Sequence, residues 1–178
     1  MRKNPYKLDV VSVRLVEDAP LCSGHPIERP EDAVETLGSY LCGLDREVLC
    51  AINLRTDGVP ISCNFVSMGT LNESMAHPRE IFKAAILSNA ASIMLVHNHP
   101  SGNLIPSKSD TLMTDRLIKN CEIMGIPLVD HIIVGGDNSS YFSFREKNMM
   151  ESPKIYLESD YRNLDIKPVL IAENGGAR

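Results

Sequence analysis

The sequence predicts an α/β domain in which a mixed β-sheet is flanked by helices. Three observations lead to this fold class. Short apolar runs typical of strands alternate along the chain with amphipathic segments of helical period. An Asp57-Gly58 pair between two of these runs is a strong signal for a hairpin of antiparallel strands. Residues 91–96 form a short apolar run that ends abruptly at polar residues, which is typical of a central strand.

In the first half of the chain, the pattern predicts an N-terminal strand, a helix and a hairpin. Residues 7–16 are rich in branched apolar side chains, which favours a strand. A proline and two acids open the segment 30–41, whose apolar residues then recur at helical spacing, so a helix is expected there. The two strands of the hairpin are expected at 47–54 and 60–68.

In the second half, two helices and three strands are expected. The first helix covers 78–89, and the apolar run at 91–96 forms the strand that follows it. The second helix covers 107–124, where apolar residues again recur at helical spacing. Apolar stretches at 129–135 and 141–145 predict the last two strands, with a turn between them.

This pattern divides the chain into three parts. An N-terminal strand and connecting segment occupy 1–29, one α/β domain occupies 30–150, and a C-terminal extension occupies 151–178. The extension carries mixed charges and two prolines, and its last residues are expected to be disordered. Its apolar run at 167–172 could form a strand or dock on a partner.

Composition restricts the class of protein. A chain of 178 residues, of which 43% are hydrophobic, is large enough for one domain with a substantial core. The formal net charge of −5 gives no broad electrostatic footprint for nucleic acid, so direct nucleic-acid binding is not expected. The five cysteines include no CxxC pair, which argues against a disulfide framework and favours a reducing, cytoplasmic location. We expect no signal peptide and no membrane segment, because no apolar run approaches about 20 residues.

The most informative stretch begins at His97-Asn-His99 and ends at Asp110, with the spacing His-x-His-x7-Ser-x2-Asp. Alternate residues of a strand point to the same face, so both imidazoles project together. Asp110 falls in the first turn of the following helix, from which loop and helix can fold its carboxylate back over the histidines. Two imidazoles and a carboxylate suit a catalytic zinc ion, which keeps a fourth position open for water.

Asp110 also has a purely structural interpretation. Ser107-x-x-Asp110 fits a capping box, with the serine as N-cap and an acid three residues later. A carboxylate at that position is favoured by the helix dipole whether or not a metal is bound. The two roles are compatible, so the capping pattern does not displace the prediction of a metal site.

The same residues resemble the zinc-binding motif of the JAMM (MPN-type, JAB-domain) metalloproteases, and in particular the RadC-like bacterial branch of that family. The segments 67–82, 129–135 and 141–146 are similar to the parts of RadC-like chains that surround this motif. The resemblance covers roughly residues 30–146. It implies an MPN/JAB fold, which is a cytidine-deaminase-like α-β-α architecture, and a zinc ion held by the two histidines and the aspartate.

In this family an upstream glutamate at the start of a strand acts as the general base, and the resemblance assigns that role to Glu47. Glu73 and Glu80 are the alternatives, because they lie closer in sequence to the metal motif. A place in the first turn of a helix would explain Glu80, and a solvated polar turn would explain Glu73. The structural explanation for Glu47 would be an exposed position at a strand edge.

The resemblance also implies that the Ser107 hydroxyl hydrogen-bonds the developing oxyanion, in competition with its role as a helix cap. Together these residues predict an enzyme, a zinc-dependent metallopeptidase or isopeptidase in which metal-activated water hydrolyses an amide bond. The expected cofactor is Zn²⁺, and the expected substrate is a peptide or an isopeptide. The sequence leaves open whether a protein partner or a homo-oligomer completes the binding groove.

A second interpretation belongs to a different class of function, a non-catalytic accessory protein of DNA repair or of mobile elements. RadC-like proteins have long carried a DNA-repair label, and longer members have a helix-hairpin-helix segment at the N-terminus. The 29 residues before Pro30 are predicted to be strand and loop, so that segment is expected to be absent. A zinc nucleobase deaminase is excluded, because the chain has no Pro-Cys-x-x-Cys element.

Overall fold

The computed structural model of the chain describes residues 12, 14–16, 21, 23–69, 77–136, 138–150 and 169–170. The elements of this described part are α1 (Pro30–Cys42), β1 (Val48–Leu54), β2 (Pro60–Met68), α2 (Pro78–Leu87), β3 (Ser92–His99), α3 (Lys108–Met124), β4 (Leu128–Gly135), β5 (Ser140–Ser143) and β6 (Val169–Leu170). From α1 to β5, every predicted element is present, with ends displaced by at most three residues. The α/β class is confirmed.

The strands form one mixed sheet in the order β2-β1-β3-β4-β5-β6. β1 pairs antiparallel with both β2 and β3, whereas β3 and β4 are parallel and are joined through α3. The predicted turn between β1 and β2 is present, and Gly58 has a φ of 75°, which glycine adopts without steric cost. β6 pairs with β5, so the apolar run at 167–172 contains a strand.

The side chains of the central strands point alternately to the two faces of the sheet, and helices cover both faces. The even-numbered residues of β1 pack in one core cluster with α1, whereas its odd-numbered residues pack in a second cluster with α2 and α3. β1 is buried along its whole length, as expected of a strand that is covered on both faces. The resulting layers are α1, the sheet, and α2 with α3, which is the α-β-α architecture that the family resemblance implies. Within the described residues, no helix is long and apolar enough to cross a bilayer.

The N-terminal strand predicted at residues 7–16 is wrong at the positions that the structure describes. Ser12 and residues 14–16 have no strand conformation, and Leu15 and Val16 are exposed. An alternating apolar pattern forms a strand only where a sheet edge accepts its backbone hydrogen bonds. The other residues of that prediction lie outside the described residues, as does the expected disorder at the end of the chain.

Candidate metal centre

β3 ends at the two histidines, and the following loop returns the chain so that the first turn of α3 lies over them. His97 Nε2 and His99 Nε2 are 3.0 Å apart. The carboxylate oxygens of Asp110 lie 3.6 Å from His97 Nε2 and 3.5 Å from His99 Nε2. His97 and Asp110 are buried, and only 11% of the His99 side chain is exposed. The structure therefore brings the three predicted ligands into one small volume.

The chemistry of this donor set fits a zinc ion. A tetrahedral ion with bonds of about 2.0–2.1 Å separates its ligand atoms by about 3.3 Å, which is close to the three distances. His99 Nδ1 lies 2.5 Å from the carbonyl oxygen of Asn103, which can only accept a hydrogen bond. The proton of His99 is therefore on Nδ1, and its Nε2 keeps a lone pair. That lone pair and the Asp110 carboxylate converge, and a cation satisfies both.

Burial and mutual contact set the charges of the three ligands. The pKa of His97 lies well below its usual range because the imidazole is buried and lies beside His131, so the ring is neutral at pH 7. Burial alone would raise the pKa of Asp110, but hydrogen bonds to His99 and Ser107 hold it below the usual range. Burial would lower the pKa of His99, but hydrogen bonds to Asp110 and Asn103 raise it. Metal binding needs the deprotonated ligands, so zinc competes with a proton at His99.

Ser107 and Asp110 also form the predicted capping box at the start of α3. The Ser107 hydroxyl accepts from the Asp110 N–H at 3.1 Å, and the Asp110 carboxylate accepts from the Ser107 N–H at 2.6 Å. The carboxylate faces the histidines from within this box, so the cap also holds it in place.

Glu47 immediately precedes β1, at the same end of the sheet as the histidines. In the antiparallel register of β1 and β3, Leu49 is opposite His97. Continuing that register by two residues on each strand places Glu47 opposite His99, on the same face of the sheet. The Glu47 side chain is half-buried, and its charge acts on the His99 imidazole. The arrangement brings the predicted base next to the predicted ligands.

The two alternative acids differ from Glu47 in their placement. Glu80 lies in the first turn of α2, where it forms exposed ion pairs with Arg79 and Lys83. These contacts match the structural explanation given for Glu80. Glu73 lies outside the described residues. Among the candidate acids in the described part of the chain, Glu47 is the one in register with the strand that carries the two candidate histidine ligands.

A family profile for the RadC-like JAB domain matches residues 27–149, which is more than half of the chain. The chain belongs to the RadC-like JAB-domain family. A UPF0758 protein of Desulforamulus reducens is 44% identical to it over 124 residues, which make up 70% of this chain and 54% of that relative. The chain thus spans about half the length of the curated relative that it matches. All of the candidate site residues lie within the matched JAB domain.

The sequence patterns do not single out Asn98, yet its buried side chain holds the backbone of this JAB domain on both sides of Glu47. Asn98 Oδ1 accepts from the Val48 N–H at 2.7 Å, and Asn98 Nδ2 donates to the Arg46 carbonyl oxygen at 3.0 Å. These two bonds fix where Glu47 lies relative to β3. The signal that could have identified Asn98 is a polar residue in a buried strand, since such a residue must find hydrogen-bond partners.

His131 is a second residue of the JAB domain that sequence patterns do not connect to the site. The apolar residues around His131 favour a hydrogen-bonded core or rim position, and its side chain is fully buried in β4. Its Nε2 lies 2.8 Å from His97 Nδ1, so it also contacts a predicted metal ligand. That contact depends on the pairing of β3 with β4, in which Leu95 is opposite His131. No short-range signal in the sequence specifies this pairing.

Gly135 ends β4 opposite His99, where there is no room for a side chain. A Cβ there would lie 2.9 Å from the His99 carbonyl oxygen and 3.2 Å from Gly102 Cα. We expect Gly135→Ala to push the His99 loop away, to lower the free energy of unfolding by about 1–3 kcal/mol and to weaken zinc binding. Urea denaturation and competition with a zinc chelator measure the two effects. Gly24→Ala is the control, because nothing lies within 4 Å of its Cβ position. Equal free energies of unfolding and equal zinc affinities in the two variants would contradict the close approach at Gly135.

Proposed function

We propose that this JAB domain is a zinc-dependent hydrolase that cleaves a peptide or an isopeptide bond. One observation supports the proposal most directly: two imidazoles and a carboxylate converge at the same end of the sheet as Glu47. The ligand set alone would fit a structural ion, and a glutamate alone would fit an ordinary surface position. Their combination provides the groups that hydrolysis by an activated water requires.

Each residue has a separate task in the proposed reaction. His97, His99 and Asp110 hold the ion. When bound, zinc supplies Lewis acidity, which lowers the pKa of a water toward about 7 and polarises the carbonyl under attack. Glu47 takes a proton from the attacking water and passes it to the nitrogen of the leaving amine. The Ser107 hydroxyl donates a hydrogen bond to the oxyanion, which a hydroxyl can do while it also accepts from the Asp110 N–H.

Metal content is the first test of this proposal. We expect about one zinc per wild-type chain and none in the His97→Ala/His99→Ala double variant, because a site of three ligands cannot keep its ion with one. Mass spectrometry of zinc-loaded, dialysed protein measures the stoichiometry. The matched control is His25→Ala/His77→Ala, which removes two histidines that bond to Glu35 and to the start of α2 instead. Zinc-replete wild type without metal would overturn the hydrolase proposal.

The reaction is tested next, with zinc-loaded protein and a pool of peptides and isopeptide-linked peptides. Mass spectrometry of the products should show new amine and carboxylate ends. Their formation should stop when a chelator removes zinc and resume when zinc is restored. Zinc-loaded protein that cleaves no member of the pool, yet shifts duplex DNA in a salt-dependent manner, would instead support the accessory role in DNA repair.

A further inference from the structure

We propose that Thr114 and His131 are positioning residues that fix the tautomer of His97, so that the lone pair on its Nε2 faces the metal. The inference deepens the proposed metal centre and rests on it, but it does not depend on the hydrolysis of any substrate. Neither residue belongs to the motif from which the site was predicted. Both are fully buried, on α3 and β4.

A chain of hydrogen bonds runs from α3 through β4 to His97. Thr114 Oγ1 donates to the carbonyl oxygen of Asp110 at 2.7 Å. The same Oγ1 lies 2.7 Å from His131 Nδ1, and His131 Nε2 lies 2.8 Å from His97 Nδ1. Thr114, His131 and His97 are all fully buried. The buried chain therefore ends on the ring nitrogen of His97 that faces away from the metal.

The direction of every bond in this chain follows from the first bond. A hydroxyl has one proton, and Thr114 gives it to a carbonyl oxygen, which can only accept. Thr114 Oγ1 must therefore accept from His131, whose proton is on Nδ1. A buried imidazole with a hydroxyl and another imidazole as its partners is favoured in the neutral form, so His131 Nε2 has a lone pair. That lone pair accepts from the Nδ1–H of His97, which leaves the lone pair of His97 on Nε2.

This chain of hydrogen bonds determines which nitrogen of His97 carries the proton, which the immediate neighbour of His97 does not determine by itself. The Nδ1 of His99 faces a backbone carbonyl, which accepts in every state of the protein. The Nδ1 of His97 faces an imidazole nitrogen, which can donate or accept. Thr114 removes that ambiguity because its proton is committed to Asp110, the residue that also provides the carboxylate ligand. Stacking of His131 on Phe144, with ring centroids 4.8 Å apart, fixes the plane in which the bond to His97 forms.

The test compares Thr114→Val with Thr114→Ser in the full-length protein sequence. Valine has nearly the shape of threonine but no hydroxyl, so His131 loses the acceptor that holds its proton on Nδ1. The reversed chain, in which His131 Nε2–H donates to His97, then becomes available and puts the proton of His97 on Nε2. We expect the affinity for Zn²⁺, measured by chelator competition, to fall about 10–100-fold in Thr114→Val. Thr114→Ser keeps the hydroxyl and should bind zinc as wild type does.

The second readout is the tautomer itself, from long-range ¹H–¹⁵N correlation spectra of metal-stripped protein with labelled histidine. His97 and His131 should be protonated on Nδ1 in wild type and in Thr114→Ser, with an Nε2-protonated form of His97 appearing in Thr114→Val. A merely structural role would lower the melting temperature of the valine variant without changing its spectrum or its intrinsic zinc affinity, and would overturn the inference. So would a wild-type spectrum with His97 protonated on Nε2, which decides the matter even if Thr114→Val does not fold. Because the spectrum needs no substrate, the inference and the hydrolase proposal can fail separately.

Discussion

The Glu47→Gln variant is expected to keep about one zinc per chain while its turnover of a cleavable peptide falls by about 10²–10⁴-fold. Glutamine has nearly the shape of glutamate, but its amide cannot take a proton from water at neutral pH. Zinc should stay because Glu47 is not one of the three ligand side chains. Zinc content and kcat, measured on the same preparation, check both parts of the prediction.

Glu80→Gln is the matched control for Glu47→Gln, since it makes the same chemical change at a residue held in exposed ion pairs on α2. It should equal wild type in zinc content and in turnover. Glu73→Gln tests the remaining acid. If Glu73→Gln loses turnover but retains zinc, and Glu47→Gln keeps its turnover, then Glu47 is not the base. Its place beside the histidines would in that case be structural.

Features that depend on neighbouring residues could be predicted from the sequence. The capping box of Ser107 and Asp110 involves residues three positions apart, and both of its bonds are present. The turn at Gly58 and the projection of both histidines to one face are likewise properties of a few consecutive residues. The candidate metal ligands could be found for this reason, because strand alternation and one helix start are enough to bring them together.

Features that depend on pairing between distant strands could not be predicted. His131 contacts His97 only in the observed register of β3 and β4, and a slip by one residue would turn it to the opposite face of the sheet. Asn98 reaches the backbone beside Glu47 across fifty positions of sequence, through the register of β1 and β3. The lack of strand conformation at Ser12 and residues 14–16, within the strand predicted at 7–16, has the same cause, since an apolar pattern does not reveal whether a sheet edge is available to it.

The Asp110→Asn variant is expected to remain folded while it loses zinc affinity by more than about 100-fold, the upper end of what loss of a supporting hydrogen bond causes. The asparagine oxygen can still accept from the Ser107 N–H, so the capping box persists and the cost to stability is about 0.3–1 kcal/mol of lost charge–dipole interaction. A neutral amide, however, cannot balance the charge of zinc beside two imidazoles. Urea denaturation of metal-stripped protein and chelator competition measure the two quantities independently.

Ser107→Ala is the converse of Asp110→Asn, because it removes the hydroxyl that accepts from the Asp110 N–H. Losing that N-cap should cost about 1 kcal/mol of stability while zinc occupancy stays at the wild-type level. Turnover should fall about 10²–10³-fold, because in the proposed reaction the hydroxyl also donates to the oxyanion. Comparison of the two variants therefore separates the helix-capping role of this helix start from its role in metal binding. If Asp110→Asn bound zinc as tightly as wild type, Asp110 would be only a capping residue, and two imidazoles alone would be too few protein ligands for a catalytic zinc site.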